Sequence, residues 1–215
     1  MIQIAHRGYS NSCKDNSKDA FLKAVAENFD MIELDIQLSK DGKIFIYHDT
    51  TIQSFLLKNL SLGEIKKYDP DILTLQDFFD MIDTTKMKIY LDVKGNDTDI
   101  CSILDFFLKD KNLDNIFIAS FNIDIIHKLS KMNSKYQLGI ITDNLIPIPL
   151  LKKYIDFCSP TFFSLHWQVL TEETLHFLHQ QSIIVYTYTC KNENIFSFIK
   201  HYNVDGIVTD YKIQF

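Results

Sequence analysis

The sequence predicts an α/β fold of the (β/α)8 type, a TIM barrel, formed by residues 1–215 as a single domain. Strand-like apolar runs alternate with amphipathic helical segments, which indicates parallel βαβ units. Eight such runs can be counted, and polar side chains gather where they end, as in barrels of this type. An open doubly wound sheet is the alternative, but neither a Gly-x-Gly-x-x-Gly motif nor a P-loop supports a nucleotide-binding sheet.

The first half of the chain is predicted to contain three barrel strands. Apolar residues follow one another or alternate in the strands and recur at helical spacing in the helices. Asn16 or Ser17 can cap the first helix, and Thr74 can cap the second. The predicted strands are Ile2–Ala5, Met31–Gln37 with an extension Lys43–Tyr47, and Met87–Val93; the helices are Asp15–Glu27 and Thr74–Ile82, with weak helical character in Leu60–Tyr68.

The second half alternates more regularly and is predicted to supply the other five strands. Asn122 can cap one helix, and Pro147 is tolerated at the start of another. Pro160 is expected to end the sixth strand. The predicted strands are Asn115–Ser120, Tyr136–Thr142, Ile155–Ser159, Ile183–Tyr188 and Asp205–Thr209; the helices are Thr98–Leu108, Asn122–Lys131, Pro147–Tyr154, Thr171–Gln180 and Asn192–His201.

Composition limits the classes of partner. The net charge is −6 with acidic and basic residues interspersed, so nucleic-acid binding is not expected. No window is apolar for long enough to insert stably in a membrane, and the start of the chain is unlike a signal peptide, so a cytoplasmic location is expected. The four cysteines form no Cys-x-x-Cys pair and are expected to be free thiols. The oligomeric state is left open.

The most informative stretch is Met31–Asp49. Glu33 and Asp35 are two residues apart on an apolar strand, so both side chains point to one face. Two adjacent carboxylates repel each other, and burying them is costly unless a cation compensates. An Asp-Gly pair suits a tight hairpin turn, after which a second apolar run brings His48 beside the start. The alternative is an edge strand with a solvated acidic face.

Further ionisable residues fall at the ends of other predicted strands. His6 and Arg7 follow the first strand, and Asp92 and Lys94 end the third. Carboxylate oxygens suit Mg²⁺ or Ca²⁺, two histidines suit proton transfer near neutral pH, and two cations suit an anionic group. Together these groups point to displacement at a phosphorus centre.

Motifs spread over nearly the whole chain resemble those of the glycerophosphodiester phosphodiesterase family. The resemblance is carried by His6-Arg7-Gly8, Ile32-Glu33-Leu34-Asp35, Lys40-Asp41-Gly42, His48-Asp49, Leu91-Asp92-Val93-Lys94, Ser120-Phe121-Asn122, Tyr188-Thr189 and Asp205-Gly206-Ile207-Val208-Thr209-Asp210. It implies a TIM barrel that hydrolyses glycerophosphodiesters to sn-glycerol 3-phosphate and an alcohol with one divalent cation, Mg²⁺ or Ca²⁺. It implies His6 and His48 as the catalytic pair, metal ligation by Glu33, Asp35 and Asp92, and phosphate or substrate contacts from Arg7, Lys94 and Tyr188.

The chain departs from the family pattern at four places. Lys14-Asp15-Asn16-Ser17 stands where Pro-Glu-Asn-Thr is usual, and Asp92 replaces a glutamate. Tyr188 stands where the family has tryptophan, and the segment after Asp49 is short. These departures leave two further hypotheses open: a lysophospholipase D or sphingomyelinase D-like enzyme with an apolar entrance from Phe162, Phe163 and Trp167, and a catalytically reduced barrel that binds a phosphodiester.

Overall fold

A computed structural model describes residues 1–214. Helices and strands alternate along the chain. The strands are β1 Ile2–Ala5, β2 Met31–Leu38, β3 Ile44–Ile46, β4 Thr51–Ile52, β5 Phe55–Leu56, β6 Lys88–Val93, β7 Ile116–Ser120, β8 Gln137–Thr142, β9 Phe162–His166, β10 Ile184–Cys190 and β11 Gly206–Thr209. The helices are α1 Lys18–Ala26, α2 Leu62–Ile65, α3 Leu75–Met81, α4 Asp99–Leu108, α5 Ile123–Met132, α6 Ile148–Cys158, α7 Glu172–Gln180 and α8 Glu193–Ile199.

Eight parallel strands close into a barrel in the order β1-β2-β6-β7-β8-β9-β10-β11. The first strand pairs with β2 on one side and with β11 on the other, so the sheet has no open edge there. The prediction of a (β/α)8 barrel is therefore confirmed, and the open doubly wound sheet is excluded. None of the helices in the described part of the chain combines the length and the apolar character that crossing a membrane requires.

The sixth barrel strand was predicted wrongly. Residues 155–158 belong to α6, which ends at Cys158, and the strand is β9, which starts after Pro160. Helical packing prevails there because Leu151 and Cys158, seven residues apart, bury the same face of α6. Ser159 then adopts a left-handed conformation (φ 49°), which turns the chain into β9.

The connection between β2 and β6 forms a small layer above the barrel. Strand β3 pairs antiparallel with β2, and Leu38 faces Ile44, so the loop has five residues instead of the two that the Asp-Gly pair predicted. The strands β3 and β4, helix α2 and the loop before α3 contribute to an apolar cluster of their own, which includes Phe45 and Leu57. This layer holds the segment that carries His48.

The interior of the barrel is filled by large side chains that face one another. Its cluster is formed by Ile4, Met31, Tyr90, Phe117, Ala119, Ile141, Phe162, Tyr186 and Val208. Phe162 packs edge-to-face on Tyr90 with ring centroids 5.4 Å apart. The Phe162 ring occupies space that a side chain at Gly139 would need, since a Cβ there would overlap it.

We therefore expect Gly139→Ala to lower the free energy of unfolding by about 1–3 kcal/mol, the usual cost of overpacking a closed core. Gly63→Ala is the matched control, because a Cβ on Gly63 meets nothing within 4 Å. Urea denaturation of both variants measures the difference. Equal midpoints for the two variants would contradict this account of barrel packing.

Candidate active site

The ionisable residues lie next to the apolar interior of the barrel, toward the carboxyl ends of the strands. Their side chains point into the barrel, as those of the interior cluster do. On β2, Met31 belongs to the interior cluster, and Glu33 and Asp35 follow it at every second position. On β6, Tyr90 is followed in the same way by Asp92. Alternation along the strands therefore brings these carboxylates into one cavity at the carboxyl end of the barrel.

Glu33, Asp35 and Asp92 form a compact acidic cluster. Asp35 faces Asp92 across the paired strands. One carboxylate oxygen of each residue lies within 4.8 Å of the others, and the three side chains are buried. Glu33 and Asp92 keep raised pKa values because burial disfavours their charged forms and the neighbouring carboxylates repel; the pKa of Asp92 rises to about 6.

The cluster fits a divalent cation with oxygen ligands. Asp92 Oδ1 is buried and has no hydrogen-bond partner among the described residues, a costly state for a carboxylate oxygen unless a ligand uses its lone pair. Mg²⁺ and Ca²⁺ both prefer carboxylate oxygens. The three predicted metal ligands thus lie together, and Asp92 Oδ1 is free to bind a cation.

Two cations border the acidic cluster. Lys94 Nζ lies 2.9 Å from Asp35 Oδ1 and 2.5 Å from Asp92 Oδ2. Arg7 Nε lies 3.1 Å from Asp35 Oδ2, and Arg7 Nη1 lies 3.0 Å from Asp15 Oδ2. Burial alone would raise the pKa of Asp35, but Lys94 and Arg7 outweigh it and hold that pKa below its usual value.

The loop after β1 is held tightly in place. Arg7 has φ 55° and donates its backbone N–H to Glu33 Oε2 at 2.8 Å. Gly8 has φ 78°, and a Cβ there would lie 2.6 Å from the backbone carbon of Ala20, so only glycine fits. Asn16 donates from Nδ2 to Asp35 Oδ2 at 2.7 Å. This geometry fixes both Arg7 and the Asp35 carboxylate.

Each predicted catalytic histidine lies beside an aspartate. His6 Nδ1 is 2.6 Å from Asp210 Oδ1, and His48 Nδ1 is 2.7 Å from Asp49 Oδ1. A carboxylate at Nδ1 favours the proton there, which leaves Nε2 free for proton transfer. Burial lowers the pKa of His6 below its ordinary value, although the hydrogen bond that His6 donates to Asp210 raises it. Both histidines line the same cavity as the acidic cluster, which measures about 130 Å³.

Replacing Asp210 with asparagine should lower the pKa of His6 further, because a neutral amide no longer stabilises the imidazolium. The fraction of charged His6 at a given pH then falls, and turnover falls as the ring loses its orienting partner. NMR titration of the His6 ring measures the shift. Asp110→Asn, on the exposed surface after α4, is the control. An unchanged His6 titration in Asp210→Asn would show that Asp210 does not act on His6.

The third predicted substrate contact, Tyr188, also lines this cavity. Its hydroxyl is buried and has no hydrogen-bond partner in residues 1–214, and burial raises its pKa. Its ring packs edge-to-face on Phe121 at 6.1 Å. All eight residues singled out from the sequence are therefore brought together, and each of them lines the one cavity.

Sequence reasoning missed several groups that complete the site. Sequence reasoning assigned no site role to Asp210 and Asp49, which pair with the two histidines, although Asp210 directly follows the last predicted strand. It also missed the hydrogen bond from Asn16 to Asp35 and the Phe121 ring that packs on Tyr188. Ser120 and Asn122, at the end of β7, have structural roles: the Ser120 hydroxyl donates to the Val93 carbonyl, and Asn122 caps α5.

The apolar entrance suggested for a lipid-acting enzyme is not formed by the residues named for it. Phe162 and Phe163 are 0% exposed. They lie on β9 instead of following it, with Phe162 inside the barrel and Phe163 under the helices. Trp167 is half-buried against the core. The two phenylalanines are therefore core residues and do not form an entrance.

Comparison with known proteins shows similarity along nearly the whole chain. The sequence profile of the glycerophosphoryl diester phosphodiesterase family matches residues 6–213. A glycerophosphodiester phosphodiesterase of Caldanaerobacter subterraneus subsp. tengcongensis is 27% identical over 232 residues, which cover 97% of this chain and 93% of the relative.

Solved structures give the same result. The glycerophosphodiester phosphodiesterase of Thermotoga maritima superposes with a TM-score of 0.80 at 25% identity, covering 98% of this chain and 94% of its own. A phosphodiesterase of Oleispira antarctica, solved with its product sn-glycerol-3-phosphate, superposes with a TM-score of 0.88 at 18% identity, covering 98% and 93%. The second likeness supports the fold alone.

Proposed function

Because this chain belongs to the glycerophosphoryl diester phosphodiesterase family, and is thus a phosphoric diester hydrolase, we propose that it hydrolyses glycerophosphodiesters to sn-glycerol 3-phosphate and an alcohol. The observation that carries the proposal is the single cavity that joins the acidic cluster, two cations and two aspartate-paired histidines. A structural ion-pair network has no need for two histidines with a ring nitrogen left free.

In this mechanism, Glu33, Asp35 and Asp92 hold one divalent cation, Mg²⁺ or Ca²⁺. When bound, the cation supplies positive charge to the phosphoryl oxygens. Arg7 and Lys94 face the same oxygens and stabilise the charge that develops on them. The Tyr188 hydroxyl, which has no hydrogen-bond partner among residues 1–214, donates to the substrate.

The two histidines divide the proton transfers. One takes the proton of the attacking oxygen through Nε2, and the other gives a proton to the departing alcohol. Asp210 and Asp49 keep each ring in the tautomer that these transfers need. The P–O bond to the alcohol breaks as the bond to the attacking oxygen forms, so sn-glycerol 3-phosphate and a neutral alcohol leave the cavity.

The proposal is tested by following release of glycerol 3-phosphate from glycerophosphocholine with Mg²⁺ or Ca²⁺. Turnover is expected with a metal and none after chelation by EDTA, with recovery when the metal is restored. Undiminished turnover after thorough chelation would refute the metal assignment. No turnover of several glycerophosphodiesters with either metal would refute the reaction and favour a binding role.

A further inference from the structure

The two histidines of the proposed mechanism are attached to the barrel in different ways. His6 directly follows β1, and its partner Asp210 directly follows β11, where the Asp210 backbone N–H donates to the Cys190 carbonyl at 3.2 Å. His48 lies in an irregular segment after β3, and its partner Asp49 belongs to the same segment. Two barrel strands therefore hold His6 and its partner, whereas the pair of His48 and Asp49 needs another attachment.

Close packing does not supply that attachment. The His48 side chain is 40% exposed, compared with 16% for His6. His48 also borders two cavities, that of the acidic cluster and a neighbouring one of about 190 Å³, which share Arg7 as well. The second cavity lies between the loop after β1 and the segment after β3, and its polar lining includes Tyr47, Asp15, Asp49, Asp69 and Asp71. A side chain between two cavities is not fixed by its neighbours.

The backbone of the segment is held only at its borders by other backbone groups. The Tyr47 N–H donates to the Asp35 carbonyl on β2 at 3.1 Å, and the Thr50 carbonyl accepts from the Leu57 N–H at 3.0 Å within the small layer above the barrel. Among residues 1–214, no hydrogen bond between backbone groups joins residues 48 and 49 to the barrel. A side chain of the barrel must therefore hold them.

Gln37 is the side chain that reaches this segment. It lies on β2, two residues after Asp35 and on the same face of the strand, and it is buried. Its amide nitrogen Nε2 donates to the Tyr47 carbonyl at 2.7 Å and to the Asp49 carbonyl at 2.8 Å. An amide nitrogen carries two hydrogens, so one group makes both bonds. The two carbonyls belong to the residues immediately before and after His48.

From this arrangement we propose that Gln37 is a positioning residue, whose amide clamps the backbone on both sides of His48 to β2. The inference rests on the proposed function, in which His48 transfers a proton through Nε2. Without the clamp, Asp49 still orients the ring within its own segment, but the segment can shift relative to Asp35 and the other metal ligands. A displacement of about 1 Å is enough to lower a rate roughly 100-fold.

Gln37→Met tests the clamp, because methionine has a similar length and offers no donor. Gln37 also lines a cavity whose wall includes Leu38, Leu56 and Ile100, so an apolar side chain is expected to fit there. We expect kcat for glycerophosphocholine to fall roughly 10- to 100-fold, with little change in KM. Gln37→Asn keeps the amide but is too short to reach both carbonyls, and its kcat should fall between the two.

Gln3→Met is the matched control. Gln3 is equally buried and also clamps a backbone segment, since its Nε2 donates to the Ile213 carbonyl at 3.0 Å and its Oε1 accepts from the Ile213 N–H at 2.8 Å. It lies near the start of β1, away from the site. Gln3→Met should therefore lower the midpoint of urea denaturation and leave kcat unchanged. Full activity in Gln37→Met would overturn the proposal.

A double variant separates positioning from a general loss of structure. In the His48→Ala background, Gln37→Met should cause no further loss of turnover, because the group that the clamp positions is gone. An equal loss in both backgrounds would show that Gln37 acts on something other than His48.

NMR relaxation of the backbone amides tests the clamp without any reaction. In Gln37→Met we expect the order parameters of the His48 and Asp49 amides to fall from about 0.85 to about 0.6 or below, while Gln3→Met leaves them unchanged. Amides that stay rigid in Gln37→Met would refute the clamp. A protein with rigid amides that hydrolyses no glycerophosphodiester, and loses that rigidity in Gln37→Met, would refute the proposed function and keep the clamp.

Discussion

Replacing His6 or His48 with alanine should lower turnover roughly 10²- to 10⁴-fold, the usual contribution of a general acid or base. Each ring lines the cavity that holds the acidic cluster, and each has an aspartate at Nδ1 that holds its tautomer. Steady-state rates with glycerophosphocholine measure the loss. His201→Ala is the control, because His201 lies in the exposed turn after α8, at the opposite end of the barrel from the site.

A substrate that needs no acid separates the two roles. A phosphodiester of p-nitrophenol releases a stable anion, so the variant that lacks the general acid should recover most of its activity. The variant that lacks the general base should stay impaired on both substrates. A histidine variant that keeps most of its activity on glycerophosphocholine would exclude that histidine from the mechanism.

Replacing Glu33 with glutamine should abolish metal-dependent turnover, with a loss of at least about 100-fold, because a neutral amide removes one of the ligand charges. The substitution keeps the volume of the side chain, so the buried site is expected to stay folded. Calorimetric titration with Mg²⁺ and Ca²⁺ measures the affinity directly. Glu27→Gln, at the exposed end of α1, is the matched control and should bind the metal normally.

The pH dependence of metal binding follows from the same cluster. Burial raises the pKa of Glu33 well above its ordinary value and that of Asp92 to about 6. A protonated carboxyl group binds a cation poorly, so the affinity should increase as the pH rises through about 6. Metal affinity that is independent of pH, or retained in Glu33→Gln, would remove these carboxylates from the ligand set.

The site could be predicted from the sequence because its key residues break the local pattern. Glu33, Asp35 and Asp92 interrupt strands that are otherwise apolar, and alternation puts the first two on one face whatever the fold. The eight alternating strand and helix patterns then predicted a barrel, and a barrel brings strand ends together. For these residues, the side-chain orientation expected from strand alternation is the one found in the tertiary structure.

The sixth strand shows where the sequence alone was insufficient. Residues 155–158 are apolar enough for either a strand or the end of a helix, and periodicity does not distinguish the two in short runs. Burial of Cys158 against the barrel favours the helix, and the left-handed Ser159 ends it. The choice depends on contacts between residues that are distant in sequence.

The sequence by itself determined the parallel barrel and the identity of the acidic, basic and histidine residues, because strand alternation and strand ends are local properties. Only the tertiary structure decided their partners. Asp210 meets His6 across more than two hundred residues, through the closure of β11 on β1, and Asn16 reaches Asp35 from a loop. Tertiary structure also brings the Gln37 amide to the backbone on both sides of His48, since the chain must return along β2 through β3 to make that contact.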